Sequence, residues 1–201
     1  MAHAALRDAP PSAMTVEEFL AWDDGTDVRY ELVGGEVFAM TPPSPAHGMV
    51  AFNLGGEISA RLKPPCKGVT EAGVRIPCRN DVFYQADLIV SCSPIQSGSS
   101  HVPEPVVIIE VLSPSTAGHD CGTKVPDYRT VPSVKEIALV SSTAIRAELW
   151  HRTAERWEVT DLVGKDAVLR LRSVDVEVPL ATIYEGVAFE PVKTETTATG
   201  S

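Results

Sequence analysis

No run of apolar residues in this sequence approaches the roughly 20 that a membrane-spanning helix needs, so such a helix is not expected. The opening stretch MAHAALRDAPPSAM has no basic segment leading into an apolar one, which argues against a secretory leader. Cysteine is scarce. Cys66, Cys78, Cys92 and Cys121 are scattered without a CxxC pair, a pattern expected of reduced thiols in a cytoplasmic protein rather than of a disulfide framework. Positive charge is also short: 17 Lys and Arg stand against 27 Asp and Glu, a net charge of -10 with a sequence pI near 4.9. That balance disfavours a general nucleic-acid binder, whose phosphate contacts come from Lys and Arg. There is no P-loop, GxGxxG, HExxH or GxSxG motif, and so no support for a nucleotide-binding, zincin or serine-hydrolase reading. No internal repeat or long linker is visible.

The charges that are present are unevenly placed. Residues 1–40 hold eight acids and two bases, whereas Arg61, Lys63, Lys67, Arg75 and Arg79 lie in a stretch containing only Glu71. A basic strip could form there, or the charges could be ordinary solvated surface.

The chain has 201 residues, 44% of them apolar, enough for one domain with a substantial core. Residues 1–13 and 191–201 are expected to be disordered from composition, leaving one domain over 14–190. Thr15 with Glu18 predicts a capped short helix. YELVGGEVFAM predicts a hairpin turning at Gly34-Gly35. PAHGMVAFNLGGEISARLK carries apolar residues at helical spacing and stops at Pro64-Pro65. GVTEAGVRIPC, ADLIVSC, PVVIIEVL, VKEIALVSS, AIRAELWHR and ERWEVTDLV read as strands. Of these, PVVIIEVL should be central and covered on both faces. AGHDCGTKVPDYRTV reads as a helix despite Gly122 and Pro126, starting near Thr123, and VEVPLATIYEGV closes the domain. The expected fold class is α/β in the broad sense: an α+β mixed sheet, with parallel and antiparallel neighbours, flanked by helices.

Within that frame one residue is out of place. Glu110 interrupts the most hydrophobic strand, and burying an unpaired carboxylate costs several kcal/mol. A partner, a proton or a metal ion must compensate it. Glu31 in the hairpin and Asp87, read as the start of ADLIV, are also acids within or beside apolar strands. If those strands are neighbours, the three carboxylates converge, giving the hard oxygen donors that Mg²⁺ favours. Asp120, Lys124 and Tyr128 recur at i, i+4, i+8 and would share a helix face. Lys124 could then reach Glu110, although Asp120 and Lys124 could equally be a solvated pair.

Taken in order, RYELVGGEV, PSPAHGMV, Asp87, PVVIIEVLSPST and the Asp120–Lys124–Tyr128 set resemble the Uma family of bacterial restriction-endonuclease-like proteins, within the PD-(D/E)XK nuclease superfamily. The resemblance spans roughly residues 15–185. It implies a restriction-endonuclease-like fold and a Mg²⁺-dependent endonuclease acting on DNA, with Mn²⁺ as a substitute and a homodimer as the assembly. It implies Asp87, Glu110 and the Val111 carbonyl as metal ligands, and Lys124 and Glu31 beside them as catalytic groups. The sequence departs from the pattern at Ala86, where the superfamily has proline, at Leu112, where it has lysine, and in EIALVSS, where the family carries an aromatic and an acid. Lys124 is then a displaced substitute for that lysine.

Other candidates are less specific. His47 could touch a phosphate or cap the helix that follows it, and Arg75 in the basic strip could bind substrate. Tyr128, Asp120 and Ser113 are expected to support the site. Ser115 and Thr116 could cap the following helix, and His119 and Cys121 are too local to suggest zinc. Two further readings remain open at this level: a nuclease fold retained as an inactive binding or assembly module, and a plain buried Glu110–Lys124 ion pair.

Overall fold

The strand that contains Glu110, β5 (Pro105–Leu112), lies in the interior of a mixed sheet. It pairs antiparallel with β4 (Phe83–Ser91) and parallel with β6 (Glu136–Ser141). Its residues from Val107 to Val111 are all buried, which is why the sequence runs apolar without alternation. β7 (Arg146–Arg152) and β8 (Trp157–Val163) extend the sheet antiparallel beyond β6. The computed structural model describes residues 13–113, 118 and 120–189. The tails expected to be disordered, apart from Ala13, lie outside the described residues, as do Ser115, Thr116 and His119.

β4 organises the other half of the eight-stranded sheet. β3 (Lys67–Arg75) follows one of its edges over the full length. β5 and β1 (Tyr30–Val33) must therefore share the opposite edge. β5 takes it from Leu88 onward, and β1 meets it at Phe83. Between these two points the edge of β4 has no strand partner. β2 (Glu36–Ala39) lies outside β1, joined through Gly34 and Gly35, whose φ values of 61° and 84° suit a two-residue hairpin turn.

Helices and a small second sheet cover the faces. α1 (Val16–Ala21) starts at Thr15, whose side chain and that of Glu18 form the expected reciprocal cap. α2 (Pro45–Arg61), capped by Ser44, buries Val50, Leu54 and Ile58, four residues apart. Burial of each is worth roughly 1.5–3 kcal/mol. These side chains pack on Leu88, Val90, Val107, Ile109 and Val140. β9 (Val168–Leu171), β10 (Val176–Pro179) and α4 (Leu180–Ile183) complete that layer. The opposite face packs Ile89, Ile108 and Ile137 against α3 (Val125–Tyr128). Among the described residues no helix is long and apolar enough to cross a membrane.

Three expectations are corrected. Asp87 is not strand-initial: β4 begins at Phe83, because β3 supplies partners for Phe83 to Ala86. The helix does not start near Thr123. A π-helical turn over Asp120–Lys124 leads directly into α3, and the wider turn offers the Pro126 ring room from the carbonyl four residues back. The cysteines are not all free. Cys66 and Cys92 form a disulfide, leaving Cys78 and Cys121 as thiols. The β3–β4 register sets Lys67 against Ser91, so the residues just outside that pair meet. Such a contact depends on strand register and is invisible to Cys spacing.

Candidate active site

The unpartnered stretch of β4 is filled by carboxylates. The Gln85 backbone N–H donates to Glu31 of β1 at 2.8 Å. Across the gap, the Val111 N–H donates to Asp87 Oδ2 at 2.6 Å. Two acidic side chains thus satisfy backbone donors where the strands diverge, as buried donors require. Local backbone irregularity helps to aim them. Tyr84 and Ala86 join one core cluster while Leu88 and Val90 join the other. The period-two alternation therefore slips at Asp87, beside Glu71 with its φ of 50°, as at a bulge that re-aims a side chain.

Glu110 has its compensating partners. The Tyr128 hydroxyl donates to Glu110 Oε1 at 2.6 Å. Lys124 Nζ lies 2.8 Å from Glu31, 3.2 Å from Asp120 and 3.4 Å from Glu110. The π-helical turn places Asp120 and Lys124 side by side, and both are buried with Glu31 and Glu110. Burial raises the Glu110 carboxyl to about 8, against the opposing pull of Lys124. For Lys124, burial favours the neutral amine, but the surrounding carboxylates outweigh it and hold its pKa above the ordinary lysine value. Burial and the neighbouring Glu110 both push the Tyr128 phenol well up, so it remains a donor.

His47 lies on the solvent side of this cluster. Its backbone N–H is capped by Ser44 Oγ at 3.2 Å, so the capping role belongs to Ser44. Its ring Nε2 stands 3.3 Å from Asp87 Oδ1. That contact raises the imidazole pKa, with burial opposing. Ser113 lines the cleft at the end of β5 together with Asp87, Glu110, Asp120 and Lys124; the cleft volume is about 1060 Å³.

Arg75 is not part of this group. It pairs with Glu17 of α1 at 2.5 Å and lines a separate groove with Arg79 and His101. It lies four residues along β3 from Glu71, about 13 Å at strand rise. Nor does most of the basic strip persist as free charge. Arg61 pairs with Glu57, Lys63 with Asp175, and Arg79 with Asp81 and Asp127. The rim pair Arg29–Glu71 at 2.8 Å and the aromatic Phe38 were not singled out from the sequence. Equal spacing of Glu31 and Phe38 from the Gly34-Gly35 turn was the available signal for Phe38.

The donor set suits a hard divalent cation. Four carboxyl groups (Glu31, Asp87, Glu110, Asp120) gather around one lysine and one histidine in a mostly buried place. Among the described residues no three His, Cys, Asp or Glu side chains are grouped closely enough to hold an ion by themselves. Mg²⁺ is usually held by one or two carboxylates with waters completing its shell, and Asp87 and Glu110, which line the same cleft, are the two that could hold one.

The family model Uma2, described as "Putative restriction endonuclease", matches residues 16–181. The chain belongs to the Uma2 family. Relatives include "Uncharacterized protein slr1290" from Synechocystis sp. (strain ATCC 27184 / PCC 6803 / Kazusa). It is 28% identical over 184 residues, covering 90% of this chain and 96% of that protein. A second protein of the same organism, "Uncharacterized protein sll1609", is 28% identical over 169 residues, covering 79% and 93%. Among solved structures, a crystal structure of "a putative nuclease belonging to DUF820" from Anabaena variabilis ATCC 29413 superposes with a TM-score of 0.69 at 15% identity. It covers 85% of this chain and 97% of that one. This likeness establishes the fold: a mixed sheet with flanking helices, of the restriction-endonuclease-like kind. In this Uma2 chain, all the acids of the site lie within the matched span.

Proposed function

We propose that this Uma2 protein is a metal-dependent endonuclease that hydrolyses phosphodiester bonds in DNA, with Mg²⁺ or Mn²⁺ as its ion. The observation that carries the reading is the convergence of Asp87 and Glu110 at the break between β4 and β5, with Lys124 inside the same cluster. Asp87, Glu110 and the main-chain carbonyl of Val111 would hold the ion. When bound, it would polarise the scissile phosphate and lower the pKa of a water. Lys124, kept protonated by its carboxylate neighbours, would stabilise negative charge developing on the phosphate. Glu31 anchors Lys124 and fixes its direction. His47, beside Asp87, would donate to a phosphate oxygen. Tyr128 holds Glu110 in one rotamer. Pairing of two copies belongs to the same proposal.

One observation favours a second reading. Lys124 is engaged by three carboxylates and shielded from solvent, as in an inactive nuclease fold that serves as a binding module. The test is cleavage of plasmid and single-stranded DNA with Mg²⁺ or Mn²⁺, run beside Asp87→Asn and Glu110→Gln. Cleavage by the parent and its loss in both variants supports the nuclease. Metal binding that needs both acids, without cleavage of either DNA, supports the module.

A further inference from the structure

The hairpin wall of the cleft carries an apolar shelf next to the acids. In the β1–β2 register Phe38 stands directly opposite Glu31. Opposed residues of an antiparallel pair project to the same face with Cβ atoms about 5 Å apart. The Phe38 side chain is therefore placed beside a carboxylate of the buried cluster, yet it is 50% exposed. Met40, whose N–H bonds to the Arg29 carbonyl, continues the same face. Phe38 and Met40 line the cleft with Pro42 and Pro43.

The same cleft is poor in usable positive charge. Among its described lining residues, six acids face only two fixed cations, Arg29 and Lys124. Arg29 is paired with Glu71, and Lys124 is buried among carboxylates. Duplex binding depends on several Lys or Arg contacts to a dense row of phosphates, which this wall does not offer. It offers instead a flat aromatic surface of the kind that takes unstacked bases. Inside a duplex both faces of each base are covered by neighbours, so Phe38 would stack there only by breaking into the stack at a cost of a few kcal/mol, whereas an unpaired base offers a free face.

We propose that nucleic acid enters this cleft as a single strand or unpaired segment, with one base stacked on Phe38. The proposal rests on the nuclease reading for its chemistry and adds the substrate class. A single strand also carries fewer phosphates per unit length past the acidic lining.

Fluorescence anisotropy tests it, using the full chain at low salt with Mg²⁺ and a dye-labelled oligothymidylate. The comparison ligands are the same strand annealed to its complement and an abasic strand with equal phosphates. The single strand is expected to bind about tenfold or more tighter than either comparison ligand, from one stacked base. Phe38→Ala should reduce single-strand binding to the abasic level, and Phe38→Trp should retain it. The abasic ligand needs no variant, so a folding defect cannot mask the result. Duplex binding as tight as single-strand binding, unchanged affinity in Phe38→Ala, or no binding of any ligand would overturn the proposal. Cleavage is read on the same samples. Cutting that depends on Asp87 and Glu110 but ignores Phe38 leaves the nuclease reading standing and removes this one. Phe38-dependent binding of the strand without cutting does the reverse.

Discussion

Asp87 and Val111 are joined by a 2.6 Å hydrogen bond from a backbone N–H to a carboxylate, at the point where the β4–β5 ladder ends. The carboxylate replaces the strand carbonyl that would otherwise accept that proton. Asp87 therefore holds the backbone with one oxygen and faces the His47 ring with the other, Oδ1, at 3.3 Å from Nε2.

Asp87→Ala should lower stability by roughly 1–3 kcal/mol, since a largely buried donor loses an ionised acceptor. Asp87→Asn should cost less, because its side-chain oxygen still accepts. Urea denaturation of the two variants checks the order, and an alanine variant as stable as the asparagine one would remove the bond from the account.

Lys124→Met should be among the most damaging single changes. It leaves Glu31, Glu110 and Asp120 without their shared cation, and breaking a buried ion pair costs about 3–5 kcal/mol. The loss should shrink in acid, as the carboxylates take up protons. If Asp87 and Glu110 hold a divalent ion, added Mg²⁺ should recover part of the lost melting temperature, which differential scanning fluorimetry would detect.

Tyr128→Phe tests the opposite side of Glu110. The substitution keeps the ring in its packed position and removes the donor at 2.6 Å. It should cost about 1–3 kcal/mol near neutral pH. It should also push the Glu110 carboxyl higher still, because that hydrogen bond favours the ionised form. An unchanged urea midpoint would show that Lys124 alone suffices.

The pH dependence has a defined sign. Burial raises the Glu110 carboxyl from the ordinary glutamate range to about 8, so the folded protein retains a proton that the unfolded chain releases. Its contribution to stability is fully present below the unfolded value and is lost as pH rises through about 8. In metal-free buffer the urea midpoint should therefore fall across that window, and Glu110→Gln should flatten the fall. Mg²⁺ affinity should run the other way, rising through the same window, because a carboxylate must be ionised to ligate. Calorimetric titration at several pH values measures that trend.

Much of the framework was legible in the sequence because its signals are local. Thr15 and Glu18 cap α1 within one turn, Gly34-Gly35 dictates a hairpin, and the apolar run around Glu110 marks a strand covered on both faces. A carboxylate inside that run was anomalous on chemical grounds alone, and it pointed to the candidate site. The sequence could not show that β1 and β5 share one edge of β4, which creates the gap where the acids meet. It could not show the register that joins Cys66 to Cys92, or the π-helical turn that delivers Lys124 past Gly122 and Pro126. It also could not show that most of the apparent basic strip is paired with acids, among them Glu17 and Asp175, distant in the chain. Periodicity and capping are properties of neighbouring residues. Strand order, register and charge pairing depend on which distant segments pack together, and only the tertiary structure decided those.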